Sequence, residues 1–342
     1  MKAMVFDRVG GPDVLEAREV PDPRPAAHEV VVTVRACGIN HLDLWVRGGL
    51  PGLEPEMPHI LGSDVVGTIA ECGVDVYDWH VGDRVLVLPT LSCGVCPACV
   101  RGDDNLCRSY DVLGRRRNGG YAERVAVPAR NMFPYPENLD WPQAAALPLV
   151  FLTAWHMLVD RAHLAAGEDV LVIGAGSGVG SAAIQIALLL GARVIATAGS
   201  ATKLERARAL GAQDVLDHTT QDVAAEVRRL TDKKGVDVVF EHVGGRIFEQ
   251  GVAALARNGR LVTCGATIGG TVTLDVNLLF GRHLALLGSW MGRRDELGAV
   301  LEHVRSGKLV PTVDSVLPLA EARRAHERIE ARQHFGKVVL VP

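Results

Sequence analysis

Two different patterns of hydrophobic and polar residues follow one another along the chain. Residues 1 to about 135 contain short β-type runs, including EVVVTVRACGI, DVVGTIAECG and DRVLVLP, which glycine and proline separate. Such runs are typical of an all-β, barrel-like unit. From about residue 150 apolar strands alternate with amphipathic helices, beginning with DVLVIGAG and GVGSAAIQIALLLGA. This alternation predicts a parallel sheet covered by helices on both faces, and therefore an α/β protein.

Length and charge narrow the possible functions. A chain of 342 residues is too long for one hydrophobic core, so we expect two domains. The formal net charge of -4 gives no broad attraction to polyanions, so we expect neither nucleic acid nor membrane as a partner. The N-terminus lacks the apolar run of a signal peptide, and no stretch approaches the roughly 20 apolar residues of a membrane span. These features favour a soluble, cytoplasmic protein.

A cluster of cysteines predicts a metal centre. The stretch SCGVCPACVRGDDNLC has the spacing C-x2-C-x2-C-x7-C and is rich in turn-forming residues. Four thiolates at such spacing match tetrahedral zinc. The ligands would be Cys93, Cys96, Cys99 and Cys107. A shell of four thiolates leaves no open position for substrate, so we expect one structural Zn²⁺ rather than a catalytic one.

A glycine-rich turn follows the first strand of the second region. In VLVIGAGSGVGSAAIQIALLLGA a buried strand over 169–173 precedes the turn, and a helix begins near Val179. Glycine lets the backbone approach a pyrophosphate, and the helix N-terminus supplies free N–H groups. The residues expected to bind a dinucleotide there are Gly176, Ser177, Gly178 and Val179.

The next strand bears on the choice of cofactor. It ends in VIATAGSATK, where Ala198 occupies the position at which NAD-binding units usually carry an acid. Without that acid nothing there repels a 2'-phosphate, and Ser200 and Lys203 are placed to bind one. The sequence therefore favours NADP(H) over NAD(H).

Almost the whole chain resembles the medium-chain dehydrogenase/reductase superfamily, which includes zinc alcohol dehydrogenases and quinone oxidoreductases. The matching stretches include GGPDVLE, VRACGINHLDLWVRGG, PHILGSDVVGTI, GGYAERVAVP, AAALPLVFLTAW, GAGSGVG, GVDVVFEHVGG and GKVVL. The resemblance implies a GroES-like β-barrel domain over 1–150 and 291–342 and a Rossmann domain over 151–290. It also implies a structural zinc lobe at about 92–108, nicotinamide in a cleft between the domains, and a homodimer or homotetramer formed near HLALLGS.

The catalytic zinc site of those alcohol dehydrogenases is matched only in part. Cys37 fits the first ligand position, but the usual GHE stretch is here Gly62, Ser63 and Asp64, and the third ligand position falls near Leu149. One match does not meet the usual demand for three protein ligands. A rearranged site that joins Cys37, Asp64 and the displaced His59 stays open as an alternative.

The quinone-oxidoreductase branch offers a closer resemblance. Its N-x-x-D-x-x-x-R-x-G pattern is matched by Asn40, Asp43, Arg47 and Gly49, and the branch places the asparagine near the nicotinamide. His218 falls where the branch often has a tyrosine beside the adenosine phosphate. Other positions resemble the nicotinamide contacts of the superfamily, namely Thr153, Val243, Gly265 and Ala266. The candidate catalytic residues are Asn40, Ser63, Asp64 and Cys37, with His41 as a further hydrogen-bond donor.

These inferences predict an NAD(P)-dependent oxidoreductase. Hydride would pass from NADPH to a small quinone, enone or other carbonyl substrate without a catalytic metal, because hydrogen-bond donors such as Asn40 can stabilise charge on oxygen. Two alternatives remain. One is an alcohol dehydrogenase with a rearranged zinc at Cys37, and the other is an NADPH-binding protein without turnover.

Overall fold

The structure, a computed structural model, describes residues 1–342 and divides them into two compact units. One unit comprises Met1–Leu149 together with Arg293–Pro342, and the other comprises Val150–Gly292. The C-terminal part of the chain therefore folds with the N-terminal part.

The helices and strands run in the following order. The N-terminal part contains β1 (Lys2–Phe6), β2 (Glu16–Glu19), β3 (Glu29–Gly38), α1 (His41–Gly48), β4 (His59–Ile60), β5 (Asp64–Cys72), β6 (Arg84–Val87), β7 (Thr90–Leu91), α2 (Pro97–Val100), β8 (Asp111–Val112), β9 (Arg124–Pro128), β10 (Met132–Pro134) and α3 (Trp141–Ala145). Next come α4 (Pro148–Trp155), β11 (Asp169–Val172), α5 (Gly178–Leu189), β12 (Arg193–Ala198), α6 (Ala201–Ala209), β13 (Asp214–Asp217), α7 (Val223–Leu230), β14 (Val236–Glu241), α8 (Gly245–Ala254), β15 (Leu255–Thr263), α9 (Val276–Gly281) and β16 (Ala285–Gly288). The chain ends with α10 (Arg294–Arg305), β17 (Val313–Pro318), α11 (Ala322–Glu330) and β18 (Lys337–Val341).

The main sheet of the first unit joins both ends of the chain. Its strand order is β10-β6-β5-β3-β18-β17, and β9 also pairs with β3. The C-terminal strand β18 runs antiparallel to β3, with Leu340 opposite Cys37 and Val339 opposite Gly38. This register brings the start of β18 to the end of β3, beside α1.

The second unit is built on a six-stranded parallel sheet. Its order is β13-β12-β11-β14-β15-β16, so the order reverses between β11 and β14. Ligands of doubly wound sheets bind outside the carboxyl ends of the strands at this reversal. The expected α/β architecture, a β-rich unit and a unit with a doubly wound parallel sheet, is confirmed.

Burial explains why the strands of the second unit are continuously apolar. Parallel strands covered on both faces expose neither set of side chains to water. Leu171 on β11, Ile195 on β12, Val239 on β14 and Leu261 on β15 accordingly share one buried cluster with Val227 of α7. None of the helices combines the length and the apolar character that a crossing of the bilayer requires.

Candidate active site, dinucleotide site and metal centre

The four clustered cysteines converge on one point of the first unit. Their Sγ atoms all lie within 4.8 Å of one another. The separations are 3.5 Å for Cys93 and Cys107, 3.6 Å for Cys96 and Cys99, and 3.9 Å for Cys93 and Cys99. Four sulfurs placed tetrahedrally about 2.3 Å from zinc would be about 3.8 Å apart. The donor set therefore fits a closed Zn²⁺ site.

Backbone N–H groups support the thiolate form of Cys93 and Cys96. The N–H of Cys96 donates to Cys93 Sγ at 3.3 Å, and the N–H of Cys93 donates to Cys107 Sγ at 3.4 Å. The backbone N–H of Cys99 lowers the pKa of Cys96 to about 6. Burial acts in the opposite direction on Cys99 and raises its pKa to about 11. Since the thiolate is the form that binds metal, the backbone favours that form at two of the four cysteines.

The glycine-rich turn after β11 has the geometry of a phosphate-binding turn. Ser177 caps α5, and its Oγ accepts the N–H of Gly180 at 2.9 Å. Gly174 has a φ of +73°, and a Cβ on Gly180 would collide with the Gly174 carbonyl oxygen. Glycine is therefore required where the helix approaches the strand. Gly176, Ser177, Gly178 and Val179 all lie in this turn or in the first turn of α5.

His242 also belongs to this region, although no sequence motif points to it. It follows β14, is buried, and places Nε2 3.1 Å from Ser177 Oγ. Burial lowers its pKa. The neutral ring thus connects the end of β14 to the glycine-rich turn, at the reversal of strand order. A lone histidine in FEHVGG gave no signal of this contact, because it arises from the pairing of β11 with β14.

The residues expected near the adenosine ribose gather at the ends of β12 and β13. Ala198 ends β12 and is buried, Ser200 is the capping residue of α6, and Lys203 lies in the first turn of that helix. His218 Nδ1 lies 3.0 Å from Thr197 Oγ1.

Asp217 is an acid at this edge, and the sequence alone gives no sign that it lies beside Ala198. It is the strand partner of Ala198 in the register of β12 and β13. Its carboxylate accepts hydrogen bonds from the Thr219 hydroxyl at 2.6 Å and the Thr219 N–H at 2.9 Å, and these lower its pKa. A negative charge therefore lies on the strand next to the expected phosphate site.

The expected nicotinamide contacts of the second unit follow neighbouring strands. Val243 follows β14, whereas Gly265 and Ala266 follow β15. The fully buried Glu241 shapes the loop, because one carboxylate oxygen accepts the N–H groups of Val243 at 2.5 Å and Gly244 at 2.6 Å. Its other oxygen accepts the Thr263 hydroxyl at 2.7 Å. Thr153 lies elsewhere in the unit, on α4, with Oγ1 3.7 Å from Met291 Sδ.

Two of the catalytic candidates of the first unit, Asn40 and Asp64, meet around a lysine near the C-terminus. Lys337 Nζ lies 2.9 Å from Asp64 Oδ2, 2.6 Å from Asn40 Oδ1 and 2.6 Å from the Ile39 carbonyl oxygen. Asn40 Nδ2 also donates to Asp64 Oδ2 at 2.9 Å, and the N–H of Leu149 donates to Asp64 Oδ1 at 2.8 Å. All of these side chains are buried. No local pattern in the sequence points to Lys337.

The residues around Cys37 do not fit a catalytic metal. Burial raises the pKa of Cys37 well above its usual value, and both oxygens of Asp64 are occupied by hydrogen bonds. His59 Nε2 lies 3.0 Å from the Gly114 carbonyl oxygen, and Cys37, His59 and Asp64 do not form a group whose ligand atoms all lie within 4.8 Å of one another. The structure therefore does not bring the rearranged zinc site together.

The remaining two candidates differ in environment. Ser63 is buried, and its hydroxyl has no hydrogen-bond partner. His41 is exposed at the start of α1, with its ring centre 5.1 Å from that of Trp45. Of these two residues, Ser63 is therefore buried and His41 is exposed.

A second buried network lies beside the first. Asp43 accepts the Asn40 N–H at 2.7 Å, the Gly62 N–H at 3.1 Å and the Tyr121 hydroxyl at 3.2 Å. Burial raises the pKa of Asp43 to about 6. Beyond Tyr121 the network continues to His326 and Arg47, so Asp43 and Arg47 of the N-x-x-D-x-x-x-R pattern are connected through other side chains.

Comparisons with known proteins agree with this architecture. The family model described as "Alcohol dehydrogenase GroES-like domain" matches residues 26–137, and the one described as "Zinc-binding dehydrogenase" matches residues 178–306. A GroES-like domain with a doubly wound sheet and a four-thiolate centre defines the class as an oxidoreductase of the zinc-binding dehydrogenase type.

Individual proteins narrow the class to a family. The quinone oxidoreductase of Rattus norvegicus is 30% identical over 100% of this chain and 98% of its own. The NAD-dependent alcohol dehydrogenase of Sulfolobus acidocaldarius is 34% identical over 99% of both chains. A crystal structure of an NAD-dependent alcohol dehydrogenase is 48% identical, with a TM-score of 0.97 and 100% of both chains covered. The chain belongs to the zinc-containing alcohol dehydrogenase and quinone oxidoreductase family of the medium-chain dehydrogenase/reductase superfamily.

Proposed function

We propose that the protein reduces a quinone, enone or other carbonyl substrate with NADPH and uses no catalytic metal. The observation that carries the proposal is the hydrogen bonding of Asp64. Both of its carboxylate oxygens already accept hydrogen bonds, from Lys337, Asn40 and the backbone N–H of Leu149. Of the three ligand positions of a catalytic zinc in the family, Cys37 fills one, whereas Ser63 and Leu149 stand at the other two. A catalytic zinc needs three protein ligands with an open fourth position, and this donor set does not supply them.

The proposed chemistry needs donors for a developing negative charge. When bound, the reduced nicotinamide supplies the hydride. Hydride addition to a conjugated carbonyl leaves charge on oxygen, which hydrogen-bond donors can stabilise in place of a metal. Asn40 and Ser63 are the candidates, because the Asn40 amide is held rigidly and the buried Ser63 hydroxyl lacks a partner. A substrate oxygen would satisfy that hydroxyl, which is otherwise costly to bury.

The second candidate function is alcohol oxidation. It is favoured by the names of the Sulfolobus acidocaldarius relative and of the 48% identical structure, both NAD-dependent alcohol dehydrogenases. It would require Cys37 to recruit ligands other than His59 and Asp64 as they are placed here. A third candidate is a nucleotide-binding protein without turnover.

A metal assay combined with a substrate panel separates these functions. We expect about one zinc per chain, retained in Cys37→Ala, and NADPH oxidation with a quinone, an enone or an aldehyde. Two zinc ions per chain, one of them lost in Cys37→Ala together with alcohol oxidation, would establish the second function instead. Tight NADPH binding with no oxidation by any member of the panel would leave only the third.

We also propose that NADPH is preferred to NADH through Ser200, Lys203 and His218 at the edge formed by β12 and β13. Lys203→Ala should weaken NADPH binding by about tenfold and NADH binding little, because only NADPH carries the 2'-phosphate. Arg208→Ala is the matched control, since it removes the same charge from the exposed last turn of α6. Asp217→Asn should strengthen NADPH binding. Equal effects of Lys203→Ala on both nucleotides would contradict the assignment.

Assembly as a homodimer or homotetramer is proposed through the free edge of β16. This strand lies at one end of the parallel sheet, and Val276 and Phe280 of the preceding helix are exposed large apolar residues. An unpaired edge strand offers N–H and C=O groups to a second copy. Light scattering should give the mass of two or four chains, and the mass of a single chain would contradict this.

A further inference from the structure

A lysine near the C-terminus holds two catalytic candidates in a fixed arrangement. We infer that Lys337 is a positioning residue for the proposed carbonyl reduction, an inference that rests on that function. It fixes the Asn40 amide so that its N–H group is presented as a donor, and it balances the charge of Asp64. Lys337 is not itself the proton donor of the reaction.

Each of the three N–H donors of the Lys337 ammonium group has an acceptor within hydrogen-bond distance. A lysine ammonium has three N–H donors and no acceptor. Nζ of Lys337 lies within hydrogen-bond distance of three oxygens, those of the Ile39 carbonyl, the Asn40 amide and the Asp64 carboxylate. The side chain is 4% exposed, so water does not compete for these donors. No N–H of Lys337 remains for a substrate.

The two charged neighbours determine the orientation of the Asn40 amide. Oδ1 faces the ammonium, which can only donate, and Nδ2 faces the Asp64 carboxylate, which can only accept. Turning the amide over would place its N–H group against Lys337 and its oxygen against Asp64, so both contacts would become repulsive. Nδ2 carries two hydrogens and Asp64 takes one of them, which leaves one for a substrate oxygen.

The fold brings these groups together from three separate elements. Asn40 caps α1, Asp64 begins β5 and Lys337 begins β18. The lysine stem passes over Gly38, where a Cβ would lie 3.1 Å from Lys337 Cε and would collide with the Ala145 carbonyl oxygen. The charge of Lys337 also acts on the neighbouring buried Asp43, whose carboxyl it helps to ionise. Removal of Lys337 alone would leave buried carboxylate charge without a counterion, which is strongly destabilising.

The test therefore removes both charges together. Lys337→Met alone should lower the thermal midpoint, and the double variant Asp64→Asn/Lys337→Met should recover most of it. If Lys337 orients Asn40, kcat of the double variant should stay at least tenfold below the wild type, with KM for NADPH unchanged. Lys337→Arg should have a higher kcat than Lys337→Met, because a guanidinium, like an ammonium, is a hydrogen-bond donor and not an acceptor. Lys308→Met, at an exposed lysine of the same unit, is the control.

A mutant cycle with Asn40→Ala tests whether the loss of kcat in Asp64→Asn/Lys337→Met arises through the Asn40 amide. In an Asn40→Ala background, adding Asp64→Asn/Lys337→Met should lower kcat by less than twofold, because no amide is left to orient. Recovery of kcat together with stability in the double variant would overturn the inference, as would a full tenfold loss in the Asn40→Ala background. A wild-type protein that reduces no carbonyl substrate would instead overturn the proposed function.

Discussion

Protonation of His326 should limit the stability of the first unit at low pH. His326 is fully buried on α11, with Nδ1 3.0 Å from an Arg47 nitrogen and Nε2 3.0 Å from the Tyr121 hydroxyl. Because Arg47 can only donate, Nδ1 must accept, and Nε2 carries the proton that it donates to Tyr121. Tyr121 in turn donates to Asp43. A second proton on His326 would break the contact with Arg47 and oppose two positive charges.

The magnitude follows from the shift in the pKa. Burial, with the charge of Arg47 as a second cause, lowers the pKa of His326 from 6.5 to about 3. The unfolded chain therefore takes up the proton first, so this contribution to stability is complete above pH 6.5 and is lost as the pH falls toward 3. At 1.36 kcal/mol per pKa unit the full effect is about 5 kcal/mol, of which about 2 kcal/mol is lost between pH 7 and pH 5.

Comparison with a variant that cannot titrate isolates this effect. The free energy of unfolding would be measured in urea from pH 7.5 to pH 5 for the wild type and His326→Gln. The variant should be less stable at pH 7.5, and the gap should narrow by about 2 kcal/mol at pH 5. His80 is exposed, so the control variant His80→Gln should show the same dependence of the free energy of unfolding on pH as the wild type.

The difference in free energy of unfolding between wild type and His326→Gln also excludes the opposing pH dependence that Asp43 contributes to both proteins. Its raised pKa, about 6, means that the folded protein holds that proton more tightly, so its contribution falls as the pH rises from 4 to 6. Both proteins retain Asp43 and the four zinc ligands, so these groups cancel to first order. A gap between wild type and His326→Gln that is constant with pH would refute the assignment of His326 as a buried neutral side chain.

Two further predictions concern the metal centre and the glycine-rich turn. Cys96→Ser should lower the zinc content from about one ion per chain toward zero and lower the thermal midpoint, with turnover of the surviving folded enzyme largely kept. Cys72→Ser, at a half-buried cysteine outside the cluster, should keep the zinc. Gly180→Ala should destabilise the protein by about 1 to 3 kcal/mol in urea unfolding, because its Cβ meets the Gly174 backbone. Gly281→Ala has open space around the new Cβ and should be neutral or stabilising.

Several features of the protein follow from local sequence. The four cysteines lie within fifteen positions, so their spacing alone predicts one metal site, and the structure brings their sulfurs together. The turn at Ser177 is equally local, because strand, glycines and helix follow one another directly. Alternation of strands and helices then predicts the parallel sheet, since a short connection of this kind allows few topologies.

The catalytic candidates depended instead on contacts between distant parts of the chain. GKVVL indicates a strand, yet it gives no sign that Lys337 binds Asp64, from which it is separated by 273 positions. His59 lies four positions before Ser63, which replaces the usual histidine, and this suggested a metal site shared with Cys37. Pairing of His59 with Phe6 and its contact with Gly114 place the imidazole elsewhere.

The sequence by itself determined the α/β architecture and predicted the cysteine cluster and the glycine-rich turn, because each depends on residues that are neighbours along the chain. Only the tertiary structure decided the partners of Asp64, the orientation of the Asn40 amide and the neutral form of His326. Buried charges need counterions and hydrogen bonds wherever the fold can supply them. Here the partners lie on β18 and α11, near the far end of the chain. No local sequence pattern indicates which buried polar groups will contact each other.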